Sequence, residues 1–168
     1  LEADESEYFR MEEELVTVAS RYAQSVEQAP SIVTVITDSD IRARNYRTLS
    51  DVLRDIPGLY LWKSGEGRAL ASFRGVMSAD NNKFLILMDG MPWYDGVYTH
   101  AWIDEYLPLH HVKQIEIMKG PGSAIYGTNA FSGVINVVTM KGSELSGGRV
   151  RLTGSSSGGF DLSGVTGG

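Results

Sequence analysis

Apolar positions along the chain predict strands in three stretches. Residues 31–37 are β-branched and apolar at successive positions, which predicts a strand buried on both faces. The apolar run in residues 83–89 ends at Asp89-Gly90, a turn signal, and predicts the strongest strand of the chain. Residues 112–118 alternate isoleucines with polar residues, which indicates a half-buried strand.

The clearest helix is predicted over residues 48–56. It starts with Thr-Leu-Ser-Asp, which has the spacing of a capping box with Asp in the place of Glu. Apolar residues then follow at positions i, i+3, i+4 and i+7 from Leu49, on one helical face, and Pro57-Gly58 ends the helix. A shorter helix is predicted over residues 38–45.

Together with shorter strands, these elements predict an α/β (α+β) fold. The shorter strands are predicted at residues 59–62, 69–75, 134–138 and 149–153, and the glycine-punctuated segment 122–131 predicts a tight turn or short helix. Elements of this kind and number form a small mixed sheet of about four to five strands with two or three short helices.

The composition suits one compact domain and excludes several classes of protein. The chain has 168 residues, of which 42% are apolar and 21% charged, so a packed core is expected. A net charge of −6 argues against a general nucleic-acid binder, which needs a basic face. The absence of cysteine excludes a disulfide scaffold and thiolate metal sites. The longest apolar run, residues 84–88, is far shorter than the roughly 20 residues of a membrane-spanning helix.

The chain divides into three parts. Residues 1–30 form an acidic N-terminal segment that we expect to be flexible, with a short β-prone patch at 14–20 and a linker at 22–30. Residues 31–141 form the predicted domain. Residues 142–168 are rich in glycine and serine, which is typical of a linker or of a cut through a longer chain.

No combination of residues in the sequence predicts catalysis, a metal site or a cofactor. The adjacent His110 and His111 would point to opposite faces of a strand, which is a poor arrangement for a shared metal ion. The glycine spacing of residues 122–127 matches a phosphate loop, but the lysine that would hold the terminal phosphates is missing. An enzyme is therefore an unsupported alternative.

An aromatic loop at 91–102, flanked in sequence by polar loops at 63–68 and 78–82, predicts a binding surface, because loops on a rigid scaffold commonly carry binding residues. Aromatic rings and a cation suit an anionic, partly aromatic ligand. For each residue the equal alternative is core packing or contact with a surrounding part of the same protein. The candidate ligand contacts are Arg68, Trp93, Tyr94, Tyr98 and Trp102. The patch at 14–20 is suited to adding a strand to the sheet of a partner.

A series of short motifs, taken in order, resembles the plug domain of TonB-dependent outer-membrane receptors. The resemblance extends from about residue 14 to residue 141 and depends on the joint order and spacing of the motifs. The motifs are the strand 31–37, Asp40-Ile41, the helix and its end at 48–58, Phe73-Arg74-Gly75, the strand and turn at 84–90, and the two segments 115–127 and 129–136.

The resemblance implies a function in transport across the outer membrane. A plug sits inside a 22-stranded β-barrel formed by the rest of the same chain, closes its lumen, and helps to bind a scarce small molecule, typically a metal chelate such as a ferric siderophore, or haem or cobalamin. Its N-terminus faces the periplasm, where a TonB box pairs with the periplasmic domain of TonB. The segment resembling this box is Glu14, Leu15, Val16, Thr17, Val18, Ala19 and Ser20.

Two basic residues occupy positions that in the family are thought to face carboxylates of the barrel wall. They are Arg74 in the Phe-Arg-Gly motif and Lys119 before Gly-Pro, where the family usually has arginine, so the bidentate fork is lost at 119. Residues 149–168 are similar to a first barrel strand. We therefore expect a plug fragment that does not transport by itself, with a stand-alone periplasmic ligand-binding domain as the alternative.

Overall fold

The computed structural model describes residues 15–16, 24–25, 32–104, 107–145, 147–154 and 160–167. The strands in these ranges are β1 Leu15–Val16, β2 Gln24–Ser25, β3 Val33–Thr37, β4 Leu59–Lys63, β5 Ala69–Phe73, β6 Phe84–Met88, β7 Met91–Pro92, β8 Val112–Lys119, β9 Gly133–Thr139, β10 Gly148–Gly154 and β11 Phe160–Thr166. The helices are α1 Asp38–Ala43, α2 Leu49–Arg54 and α3 Ser123–Tyr126, with a 3₁₀ turn at Gly142–Glu144. None of the helices in the described ranges has the length and apolarity needed to cross a bilayer.

A five-stranded mixed sheet forms the centre of the domain. Its strand order is β3-β8-β9-β6-β7, in which β6 and β9 run parallel and all other neighbours run antiparallel. The hairpin of β4 and β5 and the hairpin of β10 and β11 are separate two-stranded sheets. The predicted fold class, a small mixed sheet with short helices, is confirmed.

The main core lies between one face of the central sheet and the helices. Ile115 and Ile117 of β8 are completely buried there with Ile135 and Val137 of β9. The apolar face predicted for α2 is also confirmed, since all four of its residues belong to this core. These four residues are Leu49, Val52, Leu53 and Ile56. Burial of aliphatic side chains from the helix and from the sheet together therefore holds α2 against the sheet.

Both α1 and α2 begin with a capping box built from threonine and aspartate. The Thr37 N–H donates to Asp40 Oδ2 at 3.0 Å, and the Thr48 N–H donates to Asp51 Oδ2 at 3.0 Å. The threonine hydroxyls in turn accept from the backbone N–H groups of the two aspartates. The Thr37 hydroxyl and backbone N–H donate to the Asp40 carboxylate and lower its pKa. These reciprocal bonds explain why such short helices start where the sequence predicts.

Burial in two strands differs from the prediction for a reason of topology. The segment 31–37 was expected to be buried on both faces, but β3 is half-buried throughout because it forms an edge of the sheet. The segment 112–118 was expected to be half-buried, but β8 lies inside the sheet and even Glu116 is only 1% exposed. Glu116 accepts hydrogen bonds from Gln114 and Asn136, so its carboxylate is buried with partners.

The N-terminal patch has a partner within the chain. β1 pairs antiparallel with β2, with Leu15 opposite Ser25 and Val16 opposite Gln24. Gln24 and Ser25, which lie in the segment interpreted as a linker, are therefore paired with the β-prone patch. The pairing satisfies backbone groups that a lone extended segment would leave to water.

The two adjacent histidines do not lie in a strand, as the sequence interpretation assumed. They form a turn before β8, and the rings of His110 and His111 are 5.0 Å apart. A turn brings neighbouring side chains together, whereas a strand would separate them. Burial and the neighbouring His110 lower the pKa of His111.

The C-terminal hairpin of β10 and β11 contacts α1 through arginines. Arg149 Nη1 lies 3.3 Å from both carboxylate oxygens of Asp38, which also pairs with Arg42 at 2.6 Å. Arg151 Nη2 donates to Asn45 Oδ1 at 2.5 Å. The predicted strand at 149–153 is confirmed, and residues 148–154 pair antiparallel with residues 160–166.

Gly133 at the start of β9 has no room for a side chain. A Cβ there would lie 2.7 Å from ring atoms of Phe73 and 2.9 Å from the carbonyl oxygen of Met118. We expect Gly133→Ala to lower the free energy of unfolding by about 1–3 kcal/mol in urea denaturation. Gly65→Ala, which meets open space, is the control and should change it by less than about 0.5 kcal/mol. Equal effects of the two substitutions would contradict the packing described here.

Candidate functional site

The three loops that the sequence singled out each have a defined place in the fold. The hairpin loop (residues 63–68) joins β4 to β5, and the asparagine turn (residues 78–82) precedes β6. The aromatic loop (residues 91–102) follows the Asp89-Gly90 turn and begins with β7, whose continuation is held to β6 by the Trp93 N–H bond to the Ile86 carbonyl at 2.8 Å.

Asn81 joins these loops from the inside. Its side chain is fully buried, and its Nδ2 donates to the carbonyl oxygens of Ala69 at 3.1 Å and Ala101 at 2.9 Å. Its Oδ1 accepts from the Ala71 N–H at 2.9 Å. Because Ala69 follows the hairpin loop and Ala101 lies near the end of the aromatic loop, one amide from the asparagine turn holds all three loops together.

A charged group lies beside this amide. The Asp80 carboxylate is 4.0 Å from Arg68 Nη1 and 3.8 Å from His100 Nδ1, and Arg68 Nη2 also pairs with Glu66 at 3.1 Å. The His100 ring packs edge-on against Trp102 with centroids 4.5 Å apart. Two of the five candidate ligand residues, Arg68 and Trp102, are therefore connected through Asp80 and His100.

The tip of the aromatic loop is shaped by Asp95. Its carboxylate accepts backbone N–H bonds from Tyr98 at 2.7 Å, Val97 at 3.0 Å and His100 at 3.1 Å. These bonds lower the pKa of Asp95 because they stabilise its charged form, and the bond from Tyr98 has the largest effect. The loop therefore has a fixed turn, since the carboxylate occupies the centre of a ring of backbone donors.

The other three candidates project to the outside of the same loop. Trp93 is 37% exposed, Tyr94 41% and Tyr98 74%, and Val97 beside them is 80% exposed. Within the described ranges, no ring contact or hydrogen bond joins these aromatic rings to Arg68. The structure thus divides the candidates into an inner pair and an outer, solvent-facing group of aromatic side chains.

The two predicted contacts to a barrel wall lie at strand ends. Arg74 follows β5, is exposed and has a positive φ of 51°, with its N–H bonded to the Gly58 carbonyl at 2.9 Å. Lys119 ends β8, is half-buried, and its N–H bonds to the Ile32 carbonyl at 3.1 Å. Neither side chain has an acidic partner among the residues that the structure describes.

Only part of the predicted TonB box can be placed. Leu15 and Val16 form β1, whereas Glu14 and Thr17, Val18, Ala19 and Ser20 lie outside the described residues. The extended conformation of β1 agrees with the β-prone character of the patch.

Sequence reasoning did not find Asn81, Asp80 and His100 as site residues. The segment Ser-Ala-Asp-Asn-Asn has the composition of a turn, and nothing in it indicates which side chain is buried. Asp95 followed by Gly96 did carry a usable signal, because Asp in such a position commonly accepts bonds from the backbone N–H groups that follow it.

Neither of the two cavities described is lined by the aromatic loop. One of about 250 Å³ lies between α1, His110 and the C-terminal hairpin. One of about 730 Å³ lies between α2 and the same hairpin and extends to the hairpin loop, where Gly67, Ala69 and Asp104 line it. The aromatic loop is instead an open surface. No three acidic or histidine side chains within the described ranges are close enough together to hold a metal ion.

This architecture, a mixed sheet whose loops are gathered at one surface, is that of a receptor plug. The chain belongs to the family of plug domains of TonB-dependent receptors, because the family model described as TonB-dependent Receptor Plug Domain matches residues 25–134. The predicted resemblance is confirmed, and the family is one of receptors.

Two relatives show the extent of the similarity in sequence. The chain is 34% identical over 153 residues to an iron-regulated outer membrane virulence protein of Vibrio cholerae, covering 86% of this chain and 22% of that protein. It is 32% identical over 138 residues to the vitamin B12 transporter BtuB of Vibrio vulnificus, covering 82% of this chain and 22% of that protein. The chain thus spans about a fifth of the length of these relatives.

Solved structures show the same fold. The ferric yersiniabactin uptake receptor FyuA from Yersinia pestis matches with a TM-score of 0.57 and 28% identity, over 73% of this chain and 18% of that one. The ferripyoverdine receptor of the outer membrane of Pseudomonas aeruginosa matches with a TM-score of 0.65 and 18% identity, over 82% of this chain and 18% of that one.

The lowered pKa of Asp95 gives the aromatic loop a defined acid sensitivity. The carboxylate supports the turn above its ordinary pKa of 3.8, and this support is lost as the pH falls through the lower folded-state pKa. We expect NMR signals of the Val97 and Tyr98 amides to shift only as the pH falls below the ordinary carboxyl pKa of 3.8, because the carboxylate stays charged until then. Asp95→Ala should shift them already at pH 7, and Glu66→Gln should not. Unchanged amide signals in Asp95→Ala would contradict this role.

Proposed function

We propose that this domain gates an outer-membrane receptor. In this proposal the domain closes the lumen of a 22-stranded β-barrel formed by another part of the same protein. It also contributes to binding a scarce ligand and couples to TonB for energised import. The observation that carries the proposal is the gathering of three loops by Asn81 beside an exposed group of aromatic rings. Exposed aromatic side chains on a loop held by a rigid scaffold are typical of a binding surface.

The chemistry of the surface favours an anionic, partly aromatic ligand, such as a ferric siderophore. Trp93, Tyr94 and Tyr98 offer flat faces for stacking and polar edges for hydrogen bonds. Arg68 already has carboxylates at 3.1 and 4.0 Å, so we place it at the rim, where it adds positive charge without being the main anchor. The printed names of similar proteins include receptors for ferric yersiniabactin and ferripyoverdine and a vitamin B12 transporter.

The C-terminal hairpin supports a barrel as the partner of this domain. Its cross-strand pair Leu152 and Leu162 lies on one face together with Val150 and Phe160, and all four side chains are more than 65% exposed. The opposite face carries the arginines that contact α1. Alternation of an apolar outer face with a polar inner face is typical of the wall of a membrane β-barrel.

Arg74 and Lys119 fit the same partner. Each presents a cation without an acidic partner in the described part of the chain, which suits carboxylates on the inside of a barrel wall. Arg74 can form a bidentate pair, whereas the ammonium of Lys119 supplies a point charge only, so we propose Arg74 as the stronger of the two contacts.

The N-terminal segment supports coupling to TonB. We propose that residues 14–20 face the periplasm and add a strand to the sheet of the TonB periplasmic domain. The β1–β2 pairing involves only two residues on each side, and such a short pairing can be exchanged for a longer one at little cost.

A stand-alone periplasmic ligand-binding domain is the alternative to a gate, and the similar proteins give it no support. Titration of the 168-residue chain with ferric siderophores, haem and cobalamin distinguishes the two. Tight binding without a barrel would favour the alternative, whereas the gate proposal expects weak binding because part of the binding surface belongs to the barrel.

The aromatic surface can be tested in the receptor that contains this domain. We expect Trp93→Ala combined with Tyr94→Ala to reduce ligand affinity and uptake about ten-fold or more, since buried aromatic contacts dominate such interfaces. Tyr60→Ala is the matched control, because Tyr60 is an exposed aromatic residue on β4, outside the loop. Unchanged uptake by the double variant, with the domain still folded, would remove both residues from the site.

The coupling segment can be tested with purified proteins. We expect Val16→Pro to abolish binding of the chain to the TonB periplasmic domain, because proline removes the N–H that a paired strand donates. Val16→Thr keeps the N–H and the β-branched shape and should bind as the unchanged chain does. Calorimetric titration measures both, and equal affinity of the proline variant would reject this segment as the contact.

A further inference from the structure

We propose that Asn81 is a positioning residue for the ligand surface. Its amide fixes the aromatic loop against β5 and thereby sets the relation between Arg68 and the aromatic rings. The part of this inference that concerns ligand rests on the proposed function. The part that concerns loop position rests only on the contacts of Asn81.

The side-chain amide takes the place of a neighbouring strand. β5 is paired with β4 along one edge, and at the far end of its other edge Phe73 makes an isolated bridge to Val76. At its other edge, the Ala71 N–H donates to Asn81 Oδ1 and the Ala69 carbonyl accepts from Asn81 Nδ2. Residues i and i+2 of a strand direct their backbone groups to the same edge, so one primary amide can satisfy both as a peptide group would. Asn81 therefore ends the two-stranded sheet.

The third hydrogen bond connects this edge to the aromatic loop. The second N–H of Nδ2 donates to the Ala101 carbonyl at 2.9 Å, in a place where Ala101 is itself buried. Both donors and the acceptor of the amide face backbone partners, which fixes its orientation. Ala101 is directly preceded by His100 and followed by Trp102, so holding Ala101 also holds these two rings.

The backbone at Asn81 explains why this residue type is needed. Its φ is 52°, in the left-handed region that asparagine tolerates better than most residues. Aspartate would keep the shape but would set a carboxylate against two carbonyl oxygens. Glycine would keep the backbone conformation and remove only the amide.

The position of Asp80 follows from that of its neighbour. Asp80 reaches Arg68 and His100 only at 4.0 and 3.8 Å, so these charges are not what holds the loops. The three shorter bonds of Asn81 are made in the buried interior, where hydrogen bonds lose least to water. Asp80 therefore arranges charged side chains at the surface, whereas Asn81 fixes the position of the aromatic loop relative to β5.

The test uses three variants of the 168-residue chain. Asn81→Gly removes the amide without backbone strain, and Asn81→Asp exchanges two donors for a charge. Asn82→Asp is the matched control, because Asn82 uses its Oδ1 to accept from Ser78 at 2.6 Å and aspartate keeps that acceptor while adding the same charge one position away. Amide hydrogen exchange is measured residue by residue.

We expect amide exchange across residues 95–101 to accelerate about ten-fold or more in both Asn81 variants, while β8 and β9 keep their protection. Exchange at Ala71 should accelerate in Asn81→Gly alone, because aspartate keeps the oxygen that accepts from the Ala71 N–H. Asn82→Asp should leave these rates unchanged. On acidification within the range in which Asp95 stays ionised and holds its turn, Asn81→Asp should regain protection across residues 95–101, whereas Asn81→Gly should not. A buried carboxyl set against two carbonyl oxygens takes up a proton more readily than Asp95 does, and in its neutral form it can again donate one hydrogen bond. The Asn82→Asp control is measured at the same pH values with Asp80, Asp95, His100 and Asp104 unchanged, so a change that it shares is not assigned to residue 81.

Unchanged exchange across residues 95–101 in both variants would overturn the positioning role, and so would equal acceleration throughout β8 and β9, which would indicate a general loss of stability. The link to ligand is measured separately, by quenching of tryptophan emission with a ferric tris-catecholate in the full-length receptor. Binding by the unchanged receptor that is lost in Asn81→Gly supports the link. Equal binding by both would remove it, and no binding by either would count against the proposed ligand class while the exchange result stands.

Discussion

Backbone groups at the edges of short strands need hydrogen-bond partners, and in this domain polar side chains supply them. Asn81 bonds to the edge of β5 that lies away from β4, and Asp104 accepts from the Ala69 N–H at 3.4 Å on the same edge. Asp89 accepts from the Thr139 N–H at 2.8 Å at the end of β9, and Asn136 accepts from the Gly90 N–H at 3.1 Å. Each of these bonds also joins a loop to the sheet. The requirement to satisfy short strands therefore fixes where the loops lie.

The sequence predicts those parts of the fold that depend on neighbours along the chain. The strand at 84–88, the capped helix after Thr48 and the turn at Asp89 follow from local pattern and are present. Burial of β3 and β8 was mispredicted because periodicity reports alternation along a strand but not how many strands lie beside it. The C-terminal hairpin was missed for the same reason. Its glycines and serines suggest a linker, and the pairing of β10 with β11 cannot be deduced from local composition.

The candidate site was predictable only as a set of loops. Composition identifies the aromatic loop as a surface feature, and the exposure of Trp93, Tyr94 and Tyr98 agrees with that. Composition could not distinguish Trp102, which packs on His100, from these three exposed residues, because all four aromatic residues belong to one short segment. It could not find Asn81 either, since a buried amide in a turn depends on contacts 10 to 20 residues away in sequence.

The junction between α1 and the C-terminal hairpin has a mechanical consequence. The side-chain bonds described there run from Arg149 and Arg151 to Asp38 and Asn45 at the surface, where such contacts contribute about 0–1 kcal/mol and weaken with salt. The central sheet is held by continuous ladders of backbone bonds instead. Under a shearing force, the side-chain contacts of this junction would therefore break before the backbone hydrogen bonds of the central sheet. The sheet would then keep its shape while it moved relative to the C-terminal hairpin.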